Sequence, residues 1–172
     1  LLGEKWLKEE GGIKDLDILD QVLYHHGKEL AYAKLEENSL AYITYIADNI
    51  SAGLDRRKET DVFGYEQGVP LVSIFSHMNG DREEKYYPPS LLDVGTKIAY
   101  PGENKISCGP EFYDSVLAKL KDCLAGLEYN EDFIESFQEV LESVFTYVPS
   151  STSRQERGDI SLYDHSKLTA AV

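Results

Sequence analysis

Cysteine, tryptophan and methionine are all scarce in this chain: two, one and one in 172 residues. Cys108 and Cys123 form no CxxC or similar spacing. The expected reading is two free thiols in a reducing cytoplasm. Positive charge is also short, with 17 Lys and Arg against 31 Asp and Glu, a net charge of -14 and a pI near 4.6. Such a chain repels phosphate backbones except where basic residues cluster locally. No apolar run reaches the roughly 20 residues of a membrane span, so no membrane partner is expected. There is no P-loop, no GxSxG elbow, no Cys/His nucleophile pair and no internal repeat. Met78 is not the first residue, and the ends, Leu1-Leu2 and Ala170-Ala171-Val172, read as cuts in a longer polypeptide. No signal peptide is visible.

What the chain does have is helical periodicity. A hydrophobic content of 42% excludes wholesale disorder. Residues 1–10 read as a helix end, stopped by Gly11-Gly12. Leu16, Leu19, Val22, Leu23, His26 and Leu30 share one side of a helix over 15–30, which Gly27 can end early. The strongest pattern spans 39–54. Ser39 is its natural N-cap, Leu40, Ile43, Ala47, Ile50 and Leu54 form its apolar stripe, and Gly53 marks its end. Ala41, Thr44, Ser51 and Ala52 make a second face of small residues, with Asp48 among them, where another helix or a ligand can approach.

Residues 55–110 lose this order. "PLVSIFSHM" (70–78) and "GTKIAYP" (95–101) are candidate strands, and the segment reads as an irregular insertion with at most one small β-hairpin. Helices return at 111–128 and at 131–147, the latter capped by Asn130 and ended by Pro149. "SSTSRQERGD" (150–159) reads as a polar linker, and "ISLYDHSKLTAAV" as the entry to a further helix. The expected architecture is mainly α: a helical domain over 1–149 with the 55–110 insertion, then a linker and helix start over 150–172.

Chemistry points to His25, His26 and Asp48. An ionised carboxylate inside a run of apolar, aromatic and small residues is expensive to bury and is usually paired or metal-bound. Imidazole and carboxylate together suit a divalent transition metal, but a metal site needs three or more ligands. On spacing alone the commoner outcome is a core histidine and a carboxylate that caps or pairs nearby. On a continuous helix His26 lies in the middle of the apolar stripe and His25 about 100° away at its edge. His26 is thus expected to pack and His25 to face a ligand. Arg56-Arg57-Lys58 directly after the Asp48 helix is either a solvated cap on the helix dipole or a phosphate contact. Arg154, Arg157 and Lys167 form a looser basic set, and Asp164 and His165 are further candidate donors, although as helix neighbours they point about 100° apart. His77 is isolated.

Four stretches, "YHH" (24–26), "LAYITYIADNISAGLDRR" (40–57), "YVPSST" (147–152) and "DISLYDHSKLTAA" (159–171), together resemble the large signature subunit of type III-A CRISPR interference complexes, the Csm complex. They occur in that order and span nearly the whole chain. The resemblance implies an N-terminal HD-type helical domain, whose metal ligands follow an H…HD…H…D pattern. Asp48 would be the last aspartate of that set and His25 a histidine ligand, with His26, Asp164 and His165 as further donors. The paired His-Asp would lie upstream of Leu1, so the ligand set would be incomplete here.

The family's HD domain cuts single-stranded DNA once the complex has bound target RNA, using a metal such as manganese or nickel. Separate palm domains make cyclic oligoadenylates from ATP with magnesium, and their GGDD motif is absent from these residues. Implied partners are the other Csm subunits, CRISPR RNA and target RNA through the complex, and a single-stranded DNA substrate. Two other readings remain at this point: a non-catalytic docking module of the same complex, and a stand-alone HD phosphohydrolase acting on nucleotides.

Overall fold

The computed structural model describes residues 2–55, 61–78, 83–92, 98–128 and 130–172. They form eight helices: α1 (Leu2–Glu9), α2 (Leu16–Tyr24), α3 (Gly27–Leu30), α4 (Leu40–Asp55), α5 (Phe75–Met78), α6 (Pro110–Ala125), α7 (Phe133–Phe145) and α8 (Leu162–Ala171). The chain is therefore mainly α, as its periodicity predicts. It divides into two compact units, Leu1–Leu54 with Leu168–Val172, and Asp55–Lys167.

In the first unit α1 ends at the paired glycines, where Gly12 takes a positive φ of 66°. It packs on α2, and a Cβ placed on Gly3 would touch Val22 at 3.4 Å. Asp15 caps α2, its carboxylate accepting from the amides of Asp17 at 2.9 Å and Ile18 at 3.4 Å. The helix expected over 15–30 is broken. α2 stops at Tyr24, His26 takes an extended conformation (φ -99°, ψ 139°), and α3 restarts at Gly27. Gly27 permits a close approach there, since a Cβ on it would lie 3.2 Å from the Tyr45 hydroxyl oxygen. The break removes His26 from the apolar stripe. His26 is exposed, so the expectation that it packs in the core is wrong, and His25 is the half-buried one.

α4 departs from expectation in which face it buries. Its N-cap is Ser39, whose hydroxyl accepts from the Ala41 amide at 3.3 Å. The small residues Ala41, Ala47 and Ser51 are buried, while Ile43 is 64% and Ile50 43% exposed. The face of small side chains is the inward one, and of the expected stripe Ala47 joins it.

In the second unit the core gathers Leu71, Val72 and Cys108 with Val116 and Leu120 of α6, Val144 of α7, Tyr147, Val148 and Tyr163. α6 and α7 pack on each other. The strand expected over 70–78 does not form, and residues 95–97 of the one expected over 95–101 lie outside the described residues; among the described residues only isolated bridges occur, such as Val72 with Tyr86 and Tyr86 with Gly102. Prolines at 70, 88, 89 and 101 remove amide donors, so no ladder extends. Single backbone hydrogen bonds replace it: Ser73 to Lys85 at 2.7 Å, Tyr87 to Leu71 at 2.8 Å and Cys108 to Gly68 at 2.8 Å. The 150–159 stretch, expected as a linker, is tied in by the same means. Glu66 donates to Thr152 at 2.8 Å, Val72 to Gly158 at 2.8 Å and Ser150 to Ile160 at 2.9 Å.

Gly68 is a point of close approach in this lattice. Its φ is +74°, and a Cβ would lie 2.5 Å from Ser107 Oγ and 3.0 Å from the Cys108 carbonyl oxygen. Gly68→Ala should lower stability by about 2 kcal/mol or more, measured by urea denaturation. An unchanged midpoint would mean that this crossing is not formed. The histidines give a second check. His26→Ala should change stability by less than about 0.5 kcal/mol, as surface substitutions do. His25→Ala should cost about 1 kcal/mol through its lost hydrogen bond. Thermal melts showing the reverse ranking would restore a continuous helix through residues 25 and 26.

Candidate functional site

Two residues of the expected metal set, His25 and Asp48, belong to the first unit. His25 closes α2, and its Nδ1 lies 2.7 Å from the Val22 carbonyl oxygen. A carbonyl can only accept, so Nδ1 carries the proton and the neutral ring keeps its lone pair on Nε2. That is the tautomer of a ligating histidine, with a backbone carbonyl fixing the ring. The His25 ring lies against that of His26, centroids 3.9 Å apart and tilted by 47°.

Asp48 is half-buried on α4. The turn before it meets the α2–α3 corner. Thr44 Oγ1 donates to Gln21 Oε1 at 2.7 Å, and the Tyr45 ring lies over Gly27. Residues three and four apart share a helix face, so Asp48 lies on the face of α4 that adjoins the segment carrying His25. No group of three or more His, Cys, Asp or Glu side chains able to hold a metal ion occurs among the described residues. His25 and Asp48 therefore belong to no such group.

The other candidates lie elsewhere. Ser161 Oγ accepts from the Asp164 amide at 3.0 Å and donates to the Asp164 carboxylate at 2.7 Å, a reciprocal cap at the start of α8. Asp164 thus serves helix entry. His165 is buried on α8, 6% exposed. Arg56, Arg57 and Lys58 lie outside the described residues.

A cavity of about 510 Å³ in the second unit brings together Lys105, Arg154 and Arg157 with Glu66, Glu84 and Glu156. Lys105 is far from Arg154 and Arg157 in sequence, so spacing could not show this grouping. Glu66 lies 3.7 Å from Lys105 Nζ and 3.9 Å from Arg154 Nε. The Tyr86 hydroxyl donates to Glu84, and this bond, with burial and the carboxylate's charge, pushes its pKa up to about 12. Three carboxylates balance three cations, so the cavity presents no net positive field to a phosphate. No helix among the described residues is long and apolar enough to cross a membrane.

No family model matches the chain. Curated relatives do. The CRISPR system single-strand-specific deoxyribonuclease Cas10/Csm1 (subtype III-A) of Enterococcus italicus is 36% identical over 99% of this chain and 24% of its own length. The protein of the same name from Mycobacterium tuberculosis is 35% identical over 94% of this chain and 21% of its own. The chain thus spans about a quarter of the length of these relatives. Among solved structures, Csm1 of T. onnurineus matches with a TM-score of 0.69 at 24% identity, covering 98% of this chain and 23% of that one. Csm1 in a Csm1–Csm4 subcomplex of the type III-A interference complex matches with a TM-score of 0.65 at 24% identity, covering 98% and 22%. At that identity the structural likeness speaks for the fold alone; the curated relatives supply the assignment. Over these 172 residues the chain belongs to the Cas10/Csm1 family of subtype III-A CRISPR systems.

Proposed function

We propose that this chain is part of the HD-type nuclease region of a type III-A CRISPR large subunit, and contributes to target-RNA-activated, metal-dependent cleavage of single-stranded DNA. The observation that carries this reading is the His25 ring, fixed through Nδ1 with Nε2 left basic, beside the helix that bears Asp48. The relatives' name, single-strand-specific deoxyribonuclease, supports the substrate.

A divalent transition metal such as manganese or nickel, held by His25, Asp48 and donors outside these two, would supply an activated water and neutralise phosphate charge. The chain's own residues have separate tasks. Val22 holds the His25 ring in its tautomer. The Gln21–Thr44 bond fixes the α2–α3 corner against α4. Asp48 is a ligand rather than a general base. Arg56, Arg57 and Lys58, directly after α4 in sequence, are the phosphate contacts. Other Csm subunits, with CRISPR RNA and target RNA, would gate access to the DNA. ATP, magnesium and cyclic oligoadenylate synthesis belong to palm domains outside these residues.

A second reading, a non-catalytic docking module of the same complex, draws on the lack of a three-donor cluster among the described residues. Asp48→Ala in the full-length protein separates the two. The nuclease reading expects metal-dependent single-stranded DNA cleavage to fall at least about 100-fold, with cyclic oligoadenylate synthesis retained. Undiminished cleavage would remove Asp48 from the site and favour the docking module.

A further inference from the structure

A further cavity of the second unit, about 410 Å³, differs in chemistry from the charged one. Its size suits a small molecule or an inserted side chain. Four aromatic rings line it, those of Phe75, Tyr87, Tyr100 and Tyr147. Tyr147 is buried, and the Tyr87 and Tyr147 rings meet with centroids 5.6 Å apart, tilted by 42°. The Ala99 amide donates to the Tyr147 hydroxyl at 3.3 Å, which holds the segment carrying Ile98 and Tyr100 at the mouth. Among the described residues that line the cavity, the charged ones are two aspartates, Asp159 and Asp164, and none is Lys, Arg or His. Asp164 is engaged with Ser161. Asp159 is half-buried, and among the described residues no hydrogen bond or ion pair engages its carboxylate.

Ring faces beside an unengaged carboxylate are complementary to an organic cation, which the ring quadrupoles attract and the carboxylate pairs with. We propose that this cavity receives an arginine side chain of a protein partner. A guanidinium is planar and weakly hydrated, stacks on aromatic faces and pairs with carboxylate, whereas a lysine ammonium is a strongly hydrated point charge. Its aliphatic stem suits the apolar walls. The mouth favours a protein source: Tyr100 is 78%, Ile98 61% and Phe75 57% exposed. A peptide chain covers such an apolar rim, and a free small cation leaves it in water. Nucleic acid is disfavoured, because the rings could stack its bases but the carboxylates repel its phosphates. The whole lining belongs to the second unit, whereas His25 and Asp48 belong to the first.

The test uses the full-length large subunit and three capped tripeptides, Leu-Arg-Leu, Gly-Arg-Gly and Leu-Gln-Leu. Binding is read by saturation-transfer NMR on the peptide resonances, at physiological salt to screen the acidic surface. Leu-Arg-Leu should bind saturably and more tightly than either other peptide. Asp159→Asn should weaken it at least about fivefold, and Tyr100→Leu, which keeps apolar area and removes the ring face, about threefold. Both variants should melt within a few degrees of the wild type; should Asp159→Asn unfold the protein, Tyr100→Leu at its exposed position carries the test. Binding undiminished by the substitutions would overturn the proposal and put the arginine elsewhere on the protein. Equal binding of Leu-Gln-Leu would overturn it by reducing the cavity to an apolar groove. Equal binding of Gly-Arg-Gly would overturn the protein source and mark a free small cation. Displacement of Leu-Arg-Leu by oligodeoxythymidine would overturn it in favour of nucleic acid. Absence of saturable binding would overturn it too, and binding regained in Lys97→Ala would then mark the chain's own lysine, next to Ile98 in sequence, as the occupant.

Discussion

A carboxylate on a helix that otherwise has no charge before its last residue is the constraint on which the first unit turns. Asp48 is half-buried, and it sits among the small residues of α4, opposite the large aliphatic ones. The fold also fixes the helix that bears it: Thr44 is bonded to Gln21 and Tyr45 packs over Gly27. A carboxylate placed this rigidly suits metal ligation, where donor position matters more than reach.

The second unit solves a different problem. Its long segment between α4 and α6 has too many prolines for a ladder, yet it buries Leu71, Val72 and Cys108. Burial obliges backbone amides and carbonyls to find partners. They find them one at a time, within the segment and with residues 148–162, rather than in strands. Cys108 is sealed in this way, and burial pushes its thiol pKa up. The stretch that resembles the family most closely near the end, "DISLYDHSKLTAA", contains the Ser161–Asp164 cap and the buried Tyr163 and His165.

Much of the helical plan was legible in the sequence, because periodicity and caps act locally. Gly11-Gly12 ends α1 and Ser39 begins α4 as read, while α6, expected over 111–128, runs from Pro110 to Ala125. Periodicity failed where a backbone break decides the phase. Leu30 continues the pattern of Leu19 and Leu23, so nothing in the spacing requires the turn at His25-His26; only Gly27 hints at it. Periodicity also cannot say which of two apolar faces is buried. The larger side chains of α4 promised the core, and the small ones hold it. At the candidate site, the proposal rests on residue types at positions 25 and 48 that are read from the sequence alone. The tautomer of His25 and the capping role of Asp164 depend on hydrogen bonds that spacing does not encode.

The central claim is that Asp48 is a metal ligand. Calorimetric titration of manganese into the full-length protein tests it most directly, comparing the wild type with Asp48→Asn, which keeps the shape and removes the charge. The account predicts that the variant melts at the wild-type temperature without metal and binds one manganese fewer, or binds it about 10- to 100-fold more weakly. Equal stoichiometry and affinity in the two proteins would contradict it.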